Sequence, residues 1–74
     1  MEGGHTLLRD LDRQEAVRRI AKSQAELLGL SWNLAIRTGH FARTLVAQGK
    51  SAASALISAR VYAKDLAQYG DFWA

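Results

Sequence analysis

The chain has 74 residues with no cysteine and no proline; 49% are hydrophobic and the formal charge is +3. Seventy-four residues are expected to form one domain at most, and the composition leaves no disulfide or thiolate–metal framework in them and argues against a purely disordered tail. A chain this short buries only about 60% of its unfolded surface when it folds alone, so part of its stability is expected from oligomerisation or from docking on a partner.

Residues 1–5 read as a flexible start, because Gly3 and Gly4 disfavour helix. The opening segment has no apolar run of the kind that marks a secretory leader, and cytoplasmic residence is the expectation. Thr6, Asp10 and Asp12 are candidate caps for a first helix. From Val17 to Gly49 one apolar stripe keeps a helical period: Val17, Ile20, Ala21, Gln24, Leu27, Leu28, Ser31, Leu34, Ala35, Thr38, Gly39, Ala42, Leu45 and Val46 share an arc. The unbroken phase predicts a long helix over about 6–48, with Gly29 as the one position where it would break. Gly49-Lys50-Ser51 is a clear stop and restart: Gly49 suits a left-handed helix end and Ser51 an N-cap. A second helix is predicted over about 51–69, buried through Ala52, Leu56, Ala59, Ala63 and Leu66. Gly70 is expected to end it and leave 70–74 as an aromatic tail.

The resulting fold class is all-α. It is a single domain built as a hairpin of one long and one shorter helix, completed by oligomerisation into a helical bundle. Small residues in the middle of the long helix (Ser31, Ala35, Thr38, Gly39, Ala42) and on the second (Ala52, Ala55, Ala59, Ala63) predict a close helix–helix approach. Ile36, Ile57 and Val61 fall outside the main faces and mark an exposed interaction patch. The predicted self-association or partner interface comprises Leu28, Ala35, Ala42, Leu45, Leu56, Ile57, Ala59, Val61 and Trp73.

No carboxylate pair, metal-ligand spacing, catalytic triad or phosphate loop is present, so no enzyme activity and no cofactor are expected. The leading expectation is a non-enzymatic protein-interaction module: a small scaffold, regulator or accessory subunit that self-associates or docks on a larger protein.

A second reading comes from Ser23-Gln24-Ala25-Glu26, which matches a capping box, and from the string that follows it. Ala25, Leu28, Gly29, Leu30 and Ser31 resemble the turn of a bacterial helix-turn-helix over about a dozen residues. The resemblance implies DNA binding, with a recognition helix from Trp32 to about Thr44 that presents Asn33, Arg37, His40 and Arg43. Gln24 stands where that motif carries an apolar residue, and Ala35 and Thr38 are small where it carries larger ones. Membrane or lipid-surface binding is not expected from the mild charge and the Ala-rich faces.

Overall fold

The computed structural model describes the backbone of residues 2–73 and the side chains of residues 10–69. Among them are three helices and no strand: α1 (Glu2–Leu27), α2 (Trp32–Ala47) and α3 (Ala52–Trp73). The predicted all-α class is therefore observed, but the two-helix hairpin is replaced by a three-helix arrangement.

The expected long helix over 6–48 stops at Leu27 because Gly29 adopts φ +90°, in the left-handed region. The Leu30 N–H donates to the Ala25 carbonyl (3.1 Å) and the Gly29 N–H to the Glu26 carbonyl (2.9 Å), which is the Schellman pattern of helix termination. Ser31 then caps α2, its Oγ accepting from the Leu34 N–H at 3.4 Å. The second connector repeats this chemistry twenty residues on. Gly49 has φ +101°, Lys50 N–H donates to Leu45 O and Gly49 N–H to Val46 O (both 3.0 Å), and Ser51 Oγ accepts from Ser54 N–H at 3.1 Å. The two turns thus share a Gly-X-Ser sequence and the same hydrogen bonds.

A Cβ placed on Gly29 or Gly49 would meet nothing within 4 Å, so a substitution there is opposed only by the backbone conformation. Gly29→Ala and Gly49→Ala are each expected to lower stability by about 1–2 kcal/mol. Chemical denaturation checks this. An unchanged midpoint in either variant would mean that the turn relaxes freely.

Further corrections concern the ends and a cap. Helix α1 begins at Glu2 rather than near Thr6, and α3 runs through Gly70 to Trp73 instead of ending at Tyr69. An interior glycine weakens a helix by about 1 kcal/mol relative to alanine without stopping it. The Ser23–Glu26 capping box does not form, because both residues lie inside α1; Glu26 instead accepts from Lys22 Nζ at 2.8 Å.

Two buried clusters fix the topology. Val17 and Ala21 of α1 pack with Ala42 and Val46 of α2 and with Ala55 and Ala59 of α3. Ala25 and Leu30 pack with Ala35, Ala63 and Leu66. Sequence numbers rise from the first cluster to the second in α1 and α3 and fall in α2. The helices therefore run up, down and up, with α1 parallel to α3 and α2 antiparallel to both. The bundle measures 47 × 18 × 18 Å. Val17 lies level with Val46, near the end of α2, so the first turns of α1 extend past the second connector. Leu11, in that extension, is half exposed.

The interior is built from small side chains. Among the described residues, seven of the eleven buried hydrophobic ones are alanines, and Thr38 is the largest side chain that is fully buried. Thr38 satisfies its hydroxyl by donating to the Leu34 carbonyl at 2.9 Å. Small residues bring the axes close: a Cβ on Gly39 would lie 2.8 Å from the Arg18 carbonyl oxygen. Bulkier contacts seal the α2–α3 edge, where the Phe41 and Tyr62 rings stack at 4.3 Å with an interplanar angle of 13°.

Ion pairs run along α1. Glu15 accepts from Arg18 Nε (3.0 Å) and Nη2 (2.6 Å) and from Arg19 Nε (3.2 Å). The Arg18 hydrogen bonds and charge, reinforced by Arg19, hold the Glu15 carboxyl down at about 2, against an ordinary value of 4.5. Because the folded value lies below the unfolded one, the stabilisation is present above about 4.5 and lost as pH falls toward 2. Glu15→Gln is therefore expected to be less stable than the parent at neutral pH and to converge on it in acid. Parallel pH–denaturation series would show this; a gap that is constant with pH would refute it.

Candidate interaction surfaces

An alanine core leaves the larger aliphatic residues outside. Leu27 is 86% exposed, Ile57 68% and Val61 58%, and Ile20 and Leu28 are also exposed. On α1, Ile20, Gln24 and Leu27/Leu28 follow each other at intervals of one turn, so they share a flank. On α3, Ile57, Arg60, Val61 and Lys64 do the same. The flanks meet where Gln24, Leu27, Leu28 and Arg60 line one groove between α1 and α3. Leu56 borders this side, partly buried against the core. Ile57 and Val61 are not among the residues that line this groove; they stand exposed on the outer side of α3.

The α3 flank is also basic. Arg60 and Lys64, at i and i+4 on α3, make no ion pair with any described carboxylate, whereas every ion pair among the described residues lies within α1.

The opposite groove, between α1 and α2, has different chemistry. Arg18, Arg19, Lys22, Ser23, Glu26, Trp32, Ile36 and His40 line it. Its cations are matched locally: Arg18 and Arg19 by Glu15, and Lys22 by Glu26. Trp32 stands 65% exposed at the start of α2.

The structure separates the residues predicted for a partner interface. Ala35, Ala42 and Ala59 are at most 1% exposed and are consumed by packing within the chain, so the expectation that they face a partner is corrected. Leu45 and Leu56 are half-buried against the same core. Leu28, Ile57 and Val61 remain open, and the Trp73 side chain lies outside the described residues. Periodicity alone gives alanine and leucine equal weight. Ile20 and Leu27 sit at its edge, which is how two large residues of the stripe come to be exposed.

The four residues of the DNA reading, Asn33, Arg37, His40 and Arg43, are all on α2; Asn33, His40 and Arg43 are exposed and Arg37 is open to solvent along the same row. The turn before them is formed and capped. The helices it joins, however, lie antiparallel along their lengths. A DNA-binding helix-turn-helix instead sets its second helix across the first at about 90–120°.

Among the described residues no group of three or more His, Cys, Asp or Glu side chains is placed to hold a metal ion. No helix among them is long and apolar enough to cross a membrane. No family model, curated protein or solved structure matches the chain.

Proposed function

We propose that the protein is a non-enzymatic helical interaction module, a small scaffold, regulator or accessory subunit, that works by burying its α1–α3 face against another protein surface. The observation that carries this reading is the inverted size distribution. Alanines fill the interior while Leu27, Ile57 and Val61 face outward. A buried methyl is worth about 0.8 kcal/mol, whereas burying a leucine, isoleucine or valine side chain is worth about 1.5–3 kcal/mol. The chain therefore holds back much of its apolar driving force for a contact outside itself.

Sedimentation velocity across the micromolar range tests the reading. Wild-type protein is expected to associate as concentration rises, and Leu27→Ser combined with Ile57→Ser to suppress that association. A double variant indistinguishable from the parent at every concentration would overturn it.

The exposed row of polar residues on α2 favours one second reading, duplex DNA binding through Asn33, Arg37, His40 and Arg43 without the crossed helices of a helix-turn-helix. Phosphate contact makes affinity fall steeply with salt, so duplex titration at two ionic strengths discriminates. Absence of binding at low salt eliminates it.

A further inference from the structure

Very little backbone separates α1 from α2. The Leu28 N–H still makes the helical bond to the Gln24 carbonyl (3.1 Å), and the Ala35 N–H already makes the helical bond to the Ser31 carbonyl (2.9 Å). Between them Gly29 has φ +90°, and Ser31 combines a helical φ of −63° with an extended ψ of 162°. Rotations confined to residues 29–31 would therefore fuse the two helices into one.

The buried faces are in register for that fusion. Counted from Val17, the core residues Ala35, Ala42 and Val46 lie 18, 25 and 29 positions on. Those separations are within about 20° of five, seven and eight whole turns, so a straight helix keeps all four residues on one side. Leu28, 40% exposed at the turn, would join this side at about three turns from Val17. Leu30, 8% exposed, would leave it at about three and a half turns, so one leucine is buried as another is released. The second connector lacks this property. From Val46 to Ala55 is nine residues, about two and a half turns, so a fused α2–α3 helix would turn its two core faces in opposite directions.

A fused α1–α2 helix cannot pack on itself, but a second copy supplies the missing surfaces. Two fused helices lying antiparallel set α1 of each copy against α2 and α3 of the other. Helix α1 then stays antiparallel to α2 and parallel to α3, and both core clusters re-form between copies from the same residues. The pairing closes on a twofold axis near Gly29, and short connectors favour such an exchange.

We propose that residues 28–31 are a hinge with two settings: the Gly29 turn of the monomer, and a continuous α1–α2 helix through which two copies of this chain exchange α1 in a domain-swapped dimer. The second setting goes beyond the interaction-module reading and does not use the exposed residues of α3.

The test compares the full chain with Gly29→Ala and Gly49→Ala. Both glycines are left-handed and neither added methyl meets an atom within 4 Å, so the local penalty is the same and only the phase across the turn differs. Sedimentation equilibrium gives the association, far-ultraviolet circular dichroism the helicity, and small-angle X-ray scattering the length of the dimer. Gly29→Ala is expected to dimerise at roughly hundredfold lower concentration than wild type, because a penalty of about tenfold is relieved in each of two copies. It should keep its helical dichroism, and Gly49→Ala should associate no more tightly than wild type. The dimer should exceed the length of the fused helix, about 70 Å, against 47 Å for the monomer. It should persist when Ile57→Ser and Val61→Ser are added to Gly29→Ala.

A Gly29→Ala chain that stays monomeric at every concentration, folded or unfolded, would overturn the proposal. Equal dimerisation of the two glycine variants would overturn it, since phase would then play no part. A dimer as short as the 47 Å monomer would be two closed bundles side by side and would overturn it too. Loss of the dimer on adding Ile57→Ser and Val61→Ser would assign association to the exposed α3 residues, overturning the hinge and leaving the interaction module standing.

Discussion

Gly39→Ala is expected to lower the melting temperature by roughly 10 °C. Alanine is the better helix former by about 1 kcal/mol, so propensity alone predicts the opposite sign. Packing decides the matter. The added methyl would sit 2.8 Å from the Arg18 carbonyl oxygen, 3.2 Å from Arg18 Cγ and 3.4 Å from Lys22 Cβ. The nearest atom is main chain of the facing helix, which cannot swing aside like the end of a side chain. Relief requires α1 and α2 to separate along their packed length, loosening Val17, Ala21, Ala42 and Val46 together. Overpacking of this kind costs about 1–3 kcal/mol net, and each kcal/mol shifts the midpoint of so small a domain by about 4–8 °C. Thermal denaturation followed by far-ultraviolet circular dichroism checks it, and a raised midpoint would show that the helices are not in fixed contact at this position.

Ala42→Leu and Ala59→Leu carry the second large effect. Ala42 is fully buried and Ala59 is 1% exposed, and they belong to one cluster formed by α1, α2 and α3. Each leucine forces three extra carbons into a gap sized for a methyl, at about 1–3 kcal/mol. Because the two sites draw on the same space, the double variant should depart from the sum of the singles by more than about 0.5 kcal/mol. Additive costs would mean that the two positions do not share a contact. Either single variant should also lose the Phe41–Tyr62 stack at the neighbouring α2–α3 edge, visible as altered near-ultraviolet dichroism.

Much of this architecture is written in the residues. The helical content follows from the absence of proline and the abundance of Ala, Leu, Arg, Gln and Lys. The stop at Gly49 and the cap at Ser51 are legible one residue at a time, and the small-residue faces point to close packing. The break at Gly29 is harder to read. Hydrophobic periodicity records which residues are buried, not where the helix axis points. Eighteen residues separate Val17 from Ala35, which is five turns of helix, so the stripe stays in phase through the reversal. The one local signal is shared with the other turn: Gly29-Leu30-Ser31 has the same Gly-X-Ser form as Gly49-Lys50-Ser51.

The exposed apolar residues are only half legible, for a related reason. Ile57 and Val61 stand out because they fall off the core face of α3. Leu27 does not, since it sits on the apolar side of α1; its exposure depends on α3 leaving that flank uncovered. The isolation of Arg60 and Lys64 likewise depends on which helix each cation faces. Composition shows ten basic residues against seven acidic ones but not that the matched pairs gather on α1.

The paired Gly-X-Ser connectors also bear on how quickly the chain finds its fold. Each reverses direction within four residues, so α1 meets α2 and α2 meets α3 through contacts near in sequence. Helical domains of such low contact order fold in microseconds to milliseconds. With no proline there is no prolyl isomerisation to add a slow phase. Only the α1–α3 pairing closes a long loop, so the groove between those helices is the last part of the surface whose formation topology favours. The α1–α2 hairpin is thus expected to form before that groove does.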